Sequence, residues 1–263
     1  MRQIFSTRVL ALSGLAVLTA TGLFAQASVK GKADFKGTAP KVRPLSMEAD
    51  PFCAGKHAGP VPSETIVMKS DGSLKNVFVY VTKGLEGKTF PAPSTPVVLD
   101  QTGCLYSPHV FGILPDQQLK VVNNDATTHN VHAVAEVNQE FNVGQRPGGP
   151  AIYKTFPKPE VTIPILCNQH PWMRAVAHVI ANPYYAVTDE NGAFEIKGLP
   201  AGTYTLTAIH EKFGTATQTI TVAAGKPVPP VNFTFNSGTA MNISPLKMLP
   251  ALSMDMIMDM ARR

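Results

Sequence analysis

Proline and glycine set the limits on what this chain can become. It carries 23 prolines and 20 glycines, in short clusters between apolar runs. Proline ends helices and glycine weakens them. Few segments keep a helix-length apolar period, and most apolar runs are of strand length with turn signals on either side. That pattern predicts an all-β chain of many short strands packed as sandwiches. Strands are expected over residues 29–35, 65–69, 77–82, 97–99, 110–114, 119–123, 130–137, 152–156, 160–166 and 176–180. Residues 40–62, 83–96 and 139–150 read as loops, the last a polar, Gly/Pro-rich excursion.

The sequence divides into four segments. Arg2 and Arg8 flank an apolar start, and Ala25-Gln26-Ala27 is a small-residue cleavage pattern. Residues 1–27 therefore read as a signal peptide, with a mature start at Ser28 and a periplasmic or secreted destination. Residues 28–182 form a first expected domain, and a boundary falls near Asn182-Pro183. Residues 183–235 have a rhythm of their own, with turns at Asp189-Glu190-Asn191-Gly192 and Gly198-Leu199-Pro200-Ala201-Gly202. Asn-Gly is a strong hairpin signal, so a smaller antiparallel sandwich is expected there. Residues 236–263 hold six of the ten methionines, among them Met254, Met256, Met258 and Met260. Thioethers select Cu(I), and a soft metal-binding arm, a short helix and a disordered end are all open readings of this tail.

The formal charge of +5 falls to +3 when Arg2 and Arg8 are removed. A surplus this small, on a chain with 16% charged residues, argues against a nucleic-acid partner and permits docking to an acidic protein surface. No later segment is apolar enough to span a bilayer, so no transmembrane segment is expected in the mature chain.

The chemistry is concentrated in Cys167-Asn168-Gln169-His170-Pro171-Trp172-Met173, with His129 standing 38 residues before the cysteine. A thiolate, two imidazoles and a weak thioether are the donors of a blue-copper electron-transfer site. Cys167 supplies the covalent ligand, His129 and His170 complete a trigonal plane, and Met173 sits on the axis. His132 competes with His129, but on a strand it shares a face with Asn130 and opposes His129. His129 is therefore preferred. Asn130 is a candidate for tying the two ligand segments together, and Trp172 for either packing or partner docking. His170, on the loop, reads as the electron exit.

Cys53 and Cys104 remain. An oxidising compartment favours a disulfide between them. His57 and His109 stand close to each in sequence, so a second metal site of two cysteines and two histidines is the alternative.

The segment from Cys167 to Met173 resembles the ligand loop of the small cupredoxins, most of all amicyanin, where proline also follows the histidine. His129-Asn130-Val131 resembles the first-ligand strand of amicyanins and plastocyanins. The resemblance covers roughly residues 110–180. It implies a Greek-key β-sandwich with one mononuclear type 1 copper near one end, held by His129, Cys167, His170 and Met173. Residues 187–194 and 198–204 resemble the carboxypeptidase regulatory-like, or transthyretin-like, sandwich, which speaks to fold and not to chemistry. His210-Glu211 lacks an accompanying catalytic constellation.

The expected function is single-electron transfer between redox proteins of unknown identity. No open coordination position or acid–base pair is evident in the sequence, so the protein is not expected to be an enzyme. The alternative is a copper-carrying or envelope-binding module whose metal does not transfer electrons.

Overall fold

The computed structural model describes residues 27–237. Apart from Ala27, Asn236 and Ser237, the segments read as signal peptide and methionine-rich tail lie outside the described residues. The described part is all-β, with a single short helix among its elements.

Two sandwiches share the chain. The first holds β3 (Val97–Thr102), β4 (Leu105–Ser107), β5 (Val110–Ile113), β6 (Leu119–Asn123), β7 (His129–Ala133), β8 (Phe141–Gln145), β9 (Ile152–Lys154), β10 (Glu160–Leu166) and β11 (Arg174–Val179). One of its sheets runs β4-β3-β6-β9 and the other β5-β11-β10-β7-β8. The chain changes sheet between β4 and β5, between β5 and β6 and between β6 and β7, returns with β9 beside β6, and crosses back to β10. β3 lies parallel to β6, and β5 parallel to β11. Leu99, Leu119, Val121, Val131, Phe156, Ile163 and Ile165 fill the space between the sheets. Except for Phe156, which follows β9, they alternate along their strands with residues of the opposite face.

The second sandwich is built from β1 (Ala27–Phe35), β2 (Phe78–Lys83), β12 (Tyr185–Val187), β13 (Ala193–Leu199), β14 (Gly202–His210), β15 (Gly214–Val222) and β16 (Val231–Phe235). Its sheets run β13-β1-β16 and β12-β2-β14-β15. This differs from a division at Asn182-Pro183. β1 pairs antiparallel with β13 and parallel with β16, and β2 lies between β12 and β14. Val29, Ala33 and Phe35 from the start of the chain share one core with Phe194, Leu206 and Phe233. The first sandwich is thus carried between β2 and β12 of the second. Alternating apolar residues announce a strand but not its neighbours, so the pattern in residues 29–35 and 77–82 could not say which sheet receives them.

Two local expectations also change. The excursion over residues 139–150 contains β8, an edge strand paired with β7 from His129↔Gln145 to Ala133↔Phe141. The turn at residues 189–192 does not close a hairpin within one sheet. It carries the chain from β12 in one sheet to β13 in the other. Gly192 there has φ 67°, and a Cβ would meet the Ala33 carbonyl oxygen at 2.4 Å, so only glycine fits this crossing.

The sandwiches meet on a small apolar surface. Phe78, Val110, Val176 and Ile180 form its centre, flanked by Tyr80, Tyr185 and Val187. The His178 ring stacks on Phe78 at 4.1 Å, and the Tyr185 hydroxyl donates to the Gly112 carbonyl at 3.0 Å. His109 and Glu211, one from each sandwich, pair at 2.5 Å.

The loop before β2 has an ordered middle. Leu45 and Val61 form an isolated bridge, and α1 (Pro51–Gly55) lies between them. Asp50 caps α1, accepting from the Phe52 and Cys53 amides, with Pro51 at the first turn. Both are strong start signals. Met47 and Cys53 enter the core of the first sandwich, and Leu45, Phe52 and Val61 pack against it.

Candidate metal centre

The strand β7 and the hairpin loop between β10 and β11 meet at one end of the first sandwich. Leu166 and Arg174 are paired across that loop. The Met173 amide donates to the His170 carbonyl at 2.8 Å and the Cys167 amide to the Met173 carbonyl at 3.3 Å, so the loop closes on itself. On the other side, the Asn123 side chain accepts from the Asp125 amide and donates to the Thr127 carbonyl. This Asx turn delivers the chain into β7 with His129 as its first residue.

The imidazoles of His129 and His170 face each other through Nδ1, 2.9 Å apart. The Cys167 sulfur lies 3.6 Å from His170 Nδ1. One ligand atom from each of these three buried residues lies within 4.8 Å of the others. Met173 is fully buried in the same core cluster as Cys167, with its main chain bonded as above. Cys167 is the one free cysteine among the described residues.

Asn130 joins the two segments. Its Oδ1 accepts from the Asn168 amide at 2.8 Å and from the Cys167 thiol at 3.4 Å. Its Nδ2 donates to Asn168 Oδ1 at 3.0 Å. The buried Tyr106 hydroxyl reaches the carbonyls of both Asn130 and Leu166, the residues flanking the site on β7 and β10. His132 lies away from the cluster, its ring between Asn168 and Glu140.

Two carboxylates that the sequence reading did not single out complete the arrangement. His129 Nε2 lies 3.0 Å from Asp125 Oδ2, and His170 Nε2 lies 2.9 Å from Asp50 Oδ2. A carboxylate only accepts, so each Nε2 carries a proton, and in the neutral rings each Nδ1 then keeps its lone pair. Two lone pairs and a thiol then converge on one point in a dry interior. Facing lone pairs repel, and a cation between them removes that repulsion. The donor set therefore fits a metal ion, with the histidines oriented by carboxylates as metal-bound histidines commonly are. Burial holds the His129 pKa below its ordinary value, and the adjacent His170 adds to this against the pull of Asp125. The hydrogen bond to His170 holds the Asp50 carboxyl below the usual range; its partial desolvation opposes this, and the Cys53 and Phe52 amides reinforce it.

Cys53 and Cys104 form a disulfide, with Cα atoms 5.6 Å apart. A second metal site on these cysteines is thereby overturned. His57 is bonded to the Gly103 carbonyl, and His109 lies between the Arg174 carbonyl and Glu211. The sequence reading makes His170 the electron exit. That residue is 4% exposed because α1 and Asp50 lie over it. Trp172 is half-buried beside it, ring centres 5.0 Å apart, with its indole N–H on the Cys104 carbonyl. Asp125, four residues before His129, and Asp50, before Pro51, read locally as turn and cap residues. Nothing in their spacing shows that they meet the histidines.

Residues 175–236 match the carboxypeptidase regulatory-like domain. The match begins inside β11 of the first sandwich and does not include β1 or β2, which complete the second. No curated protein sequence matches the chain significantly. Among solved structures, an oxidised P96G mutant of amicyanin is 21% identical, covering 39% of this chain and 98% of that one at a TM-score of 0.30. A purple cupredoxin from Nitrosopumilus maritimus is 19% identical over 32% of this chain and 99% of its own, with a TM-score of 0.28. A copper-containing nitrite reductase from Thermus scotoductus is 21% identical over 39% of this chain, at a TM-score of 0.31, and the match spans only 25% of that reductase. At such scores these likenesses add nothing to the strand order already described.

Proposed function

We propose that this protein is an exported carrier of single electrons that holds one copper ion between His129, Cys167, His170 and Met173. The observation that carries the reading is the convergence of His129 Nδ1, His170 Nδ1 and Cys167 Sγ in a buried pocket at the end of a Greek-key sandwich. Bound copper would supply a one-electron couple there. The chain's own part is to hold the ligand set still. Asn130 fixes the loop against β7, Tyr106 ties both flanking strands, and the carboxylates fix both rings. A set that does not move between oxidation states suits fast electron exchange. Burial keeps water from the metal. Export is supported by the signal-like residues 1–27 and by the Cys53–Cys104 disulfide, which belongs to an oxidising compartment. No helix among the described residues is long and apolar enough to cross a membrane.

One observation favours a second reading. His170 is 4% exposed beneath α1, and a covered ligand suits a protein that retains copper rather than one that passes electrons. Two measurements separate the readings. Cu(II) added to the metal-free protein should give an intense visible thiolate-to-copper band, absent in Cys167→Ser. The reduced protein should then be reoxidised by ferricyanide at a rate first order in the oxidant. A coloured protein that ferricyanide does not reoxidise supports retention, and a colourless one removes the blue-copper reading.

A further inference from the structure

The Cys53–Cys104 disulfide reaches the metal centre by two matching routes. The Cys53 amide donates to Asp50, whose other oxygen meets His170 Nε2. The Cys104 amide donates at 2.7 Å to Asp125 Oδ2, the same oxygen that meets His129 Nε2. Each half of the disulfide therefore holds the carboxylate that backs one of the two imidazoles.

We propose that Asp50 and Asp125 are positioning residues for His170 and His129, and that the Cys53–Cys104 bond sets them in register as a single device. The inference deepens the copper reading and rests on it for its metal. Several features favour it over two unrelated surface contacts. Asp125 is buried, and among the described residues its carboxylate meets the Gly103 and Cys104 amides and His129 rather than a Lys or Arg. Asp50 sits on a segment whose only regular element, α1, is five residues long. So short a helix has little stability of its own. The disulfide joins it to the turn between β3 and β4, and Trp172 of the ligand loop bonds the carbonyl of that same Cys104. Without the bond, Asp50 would be placed by the packing of Met47, Leu45, Phe52 and Val61 and by the His57 contact with the Gly103 carbonyl.

The chemistry follows from charge and tautomer. Each carboxylate keeps the proton on Nε2 and directs the Nδ1 lone pair inward. Two negative charges behind the rings also favour Cu(II) over Cu(I), because the ion with the higher charge gains more from them. Segment 45–61 is therefore part of the metal site rather than a neighbouring loop. A dithiol reductant that turned the disulfide into two cysteine thiols, itself oxidised to a cyclic disulfide, would loosen metal retention while leaving all four ligand side chains in the protein.

The test uses the mature chain and the variants Asp50→Asn, Asp125→Asn and Cys53→Ser/Cys104→Ser. In the metal-free protein, long-range proton–nitrogen NMR should show the Nε2–H tautomer at both His129 and His170. Asp50→Asn and the double serine variant should lose that preference at His170, and Asp125→Asn should lose it at His129. Competition titrations should show Cu(II) affinity falling about 10–100-fold in each, the usual cost of removing a carboxylate behind a metal-bound histidine, with Cu(I) affinity falling less. Combining Asp50→Asn with the serine pair should add little, since both act through one contact. Folded variants with unchanged tautomers and an unchanged Cu(II)/Cu(I) affinity ratio would overturn the proposal. If the serine pair does not fold, Asp50→Asn keeps the disulfide and decides alone. A wild-type protein without the thiolate–copper band ends the copper reading, while the tautomer spectra still decide whether the carboxylates position the rings.

Discussion

His178 shows how one residue couples the two sandwiches to pH. It lies on β11, stacked on Phe78 of β2, with its Nδ1 accepting from the Thr162 amide at 3.2 Å. Burial pushes its pKa down to about 3. His210, buried on β14 against Phe213, is pushed down to about 4, also by burial. A histidine neutral in the folded state and protonated in the unfolded chain costs stability as pH falls. The contribution is whole above about pH 6.5. It is lost down through the folded value at a limiting rate of about 1.4 kcal/mol per pH unit for each group. His109 has the opposite sign: burial lowers its pKa, but the Glu211 carboxylate more than offsets this and raises it. Its contribution is present in acid and fades as pH rises. Two depressed groups against one raised group predict an acid-labile junction. Chemical denaturation at pH 7 and pH 5 should show lower stability at pH 5. His178→Asn, which keeps an acceptor for Thr162, should flatten that difference while lowering stability at both. An unchanged pH slope in His178→Asn would show that this ring is not the sensor.

At the scale of elements, the ligand loop was legible because its chemistry is local. Cys167, His170 and Met173 lie within one hairpin, and a strand from Asn130, one residue after the observed start at His129, could be read from the polar turn before it. The opposition of His132 to His129 also follows from the two-residue period of a strand, and His132 indeed turns to Asn168 and Glu140. What escaped the sequence is non-local. β8 is polar and glycine-containing because it is an edge strand with one face exposed, so its residues read as loop. α1 is too short for a helical period to register, yet it covers His170. Asp50 reaches His170 across 120 residues of chain, and only the folded sheet brings them together. The disulfide was readable as one of two alternatives, and the geometry of its surroundings chose between them.

For the whole molecule, the decisive fact is that one sandwich interrupts the other. Residues 183–235 read as a self-contained domain, and the family match at residues 175–236 follows the same stretch. The sheet order shows otherwise, since β1 is the central strand of one sheet and β2 an inner strand of the other. A fragment of residues 183–237 would leave β13 and β16 without the strand between them, exposing the faces that Val29, Ala33, Phe35 and Val79 cover. Unpaired strands and an open apolar core do not fold alone. The fragment is expected to be unfolded by circular dichroism and to gain β-structure when a 27–83 peptide is added. A folded, cooperative 183–237 fragment would contradict the interrupted architecture. The same architecture gives the second sandwich a physical role, because it anchors both ends of the first and fixes β5 and β11, the latter leading out of the ligand loop, against Phe78 and Tyr185. All of this concerns the stage on which one cluster stands. X-ray absorption of the copper-loaded protein measures that cluster directly. It should find one short sulfur scatterer and two imidazole nitrogens around a single copper, with the short sulfur missing in Cys167→Ser. A copper shell of nitrogen and oxygen alone in the wild-type protein would contradict the account.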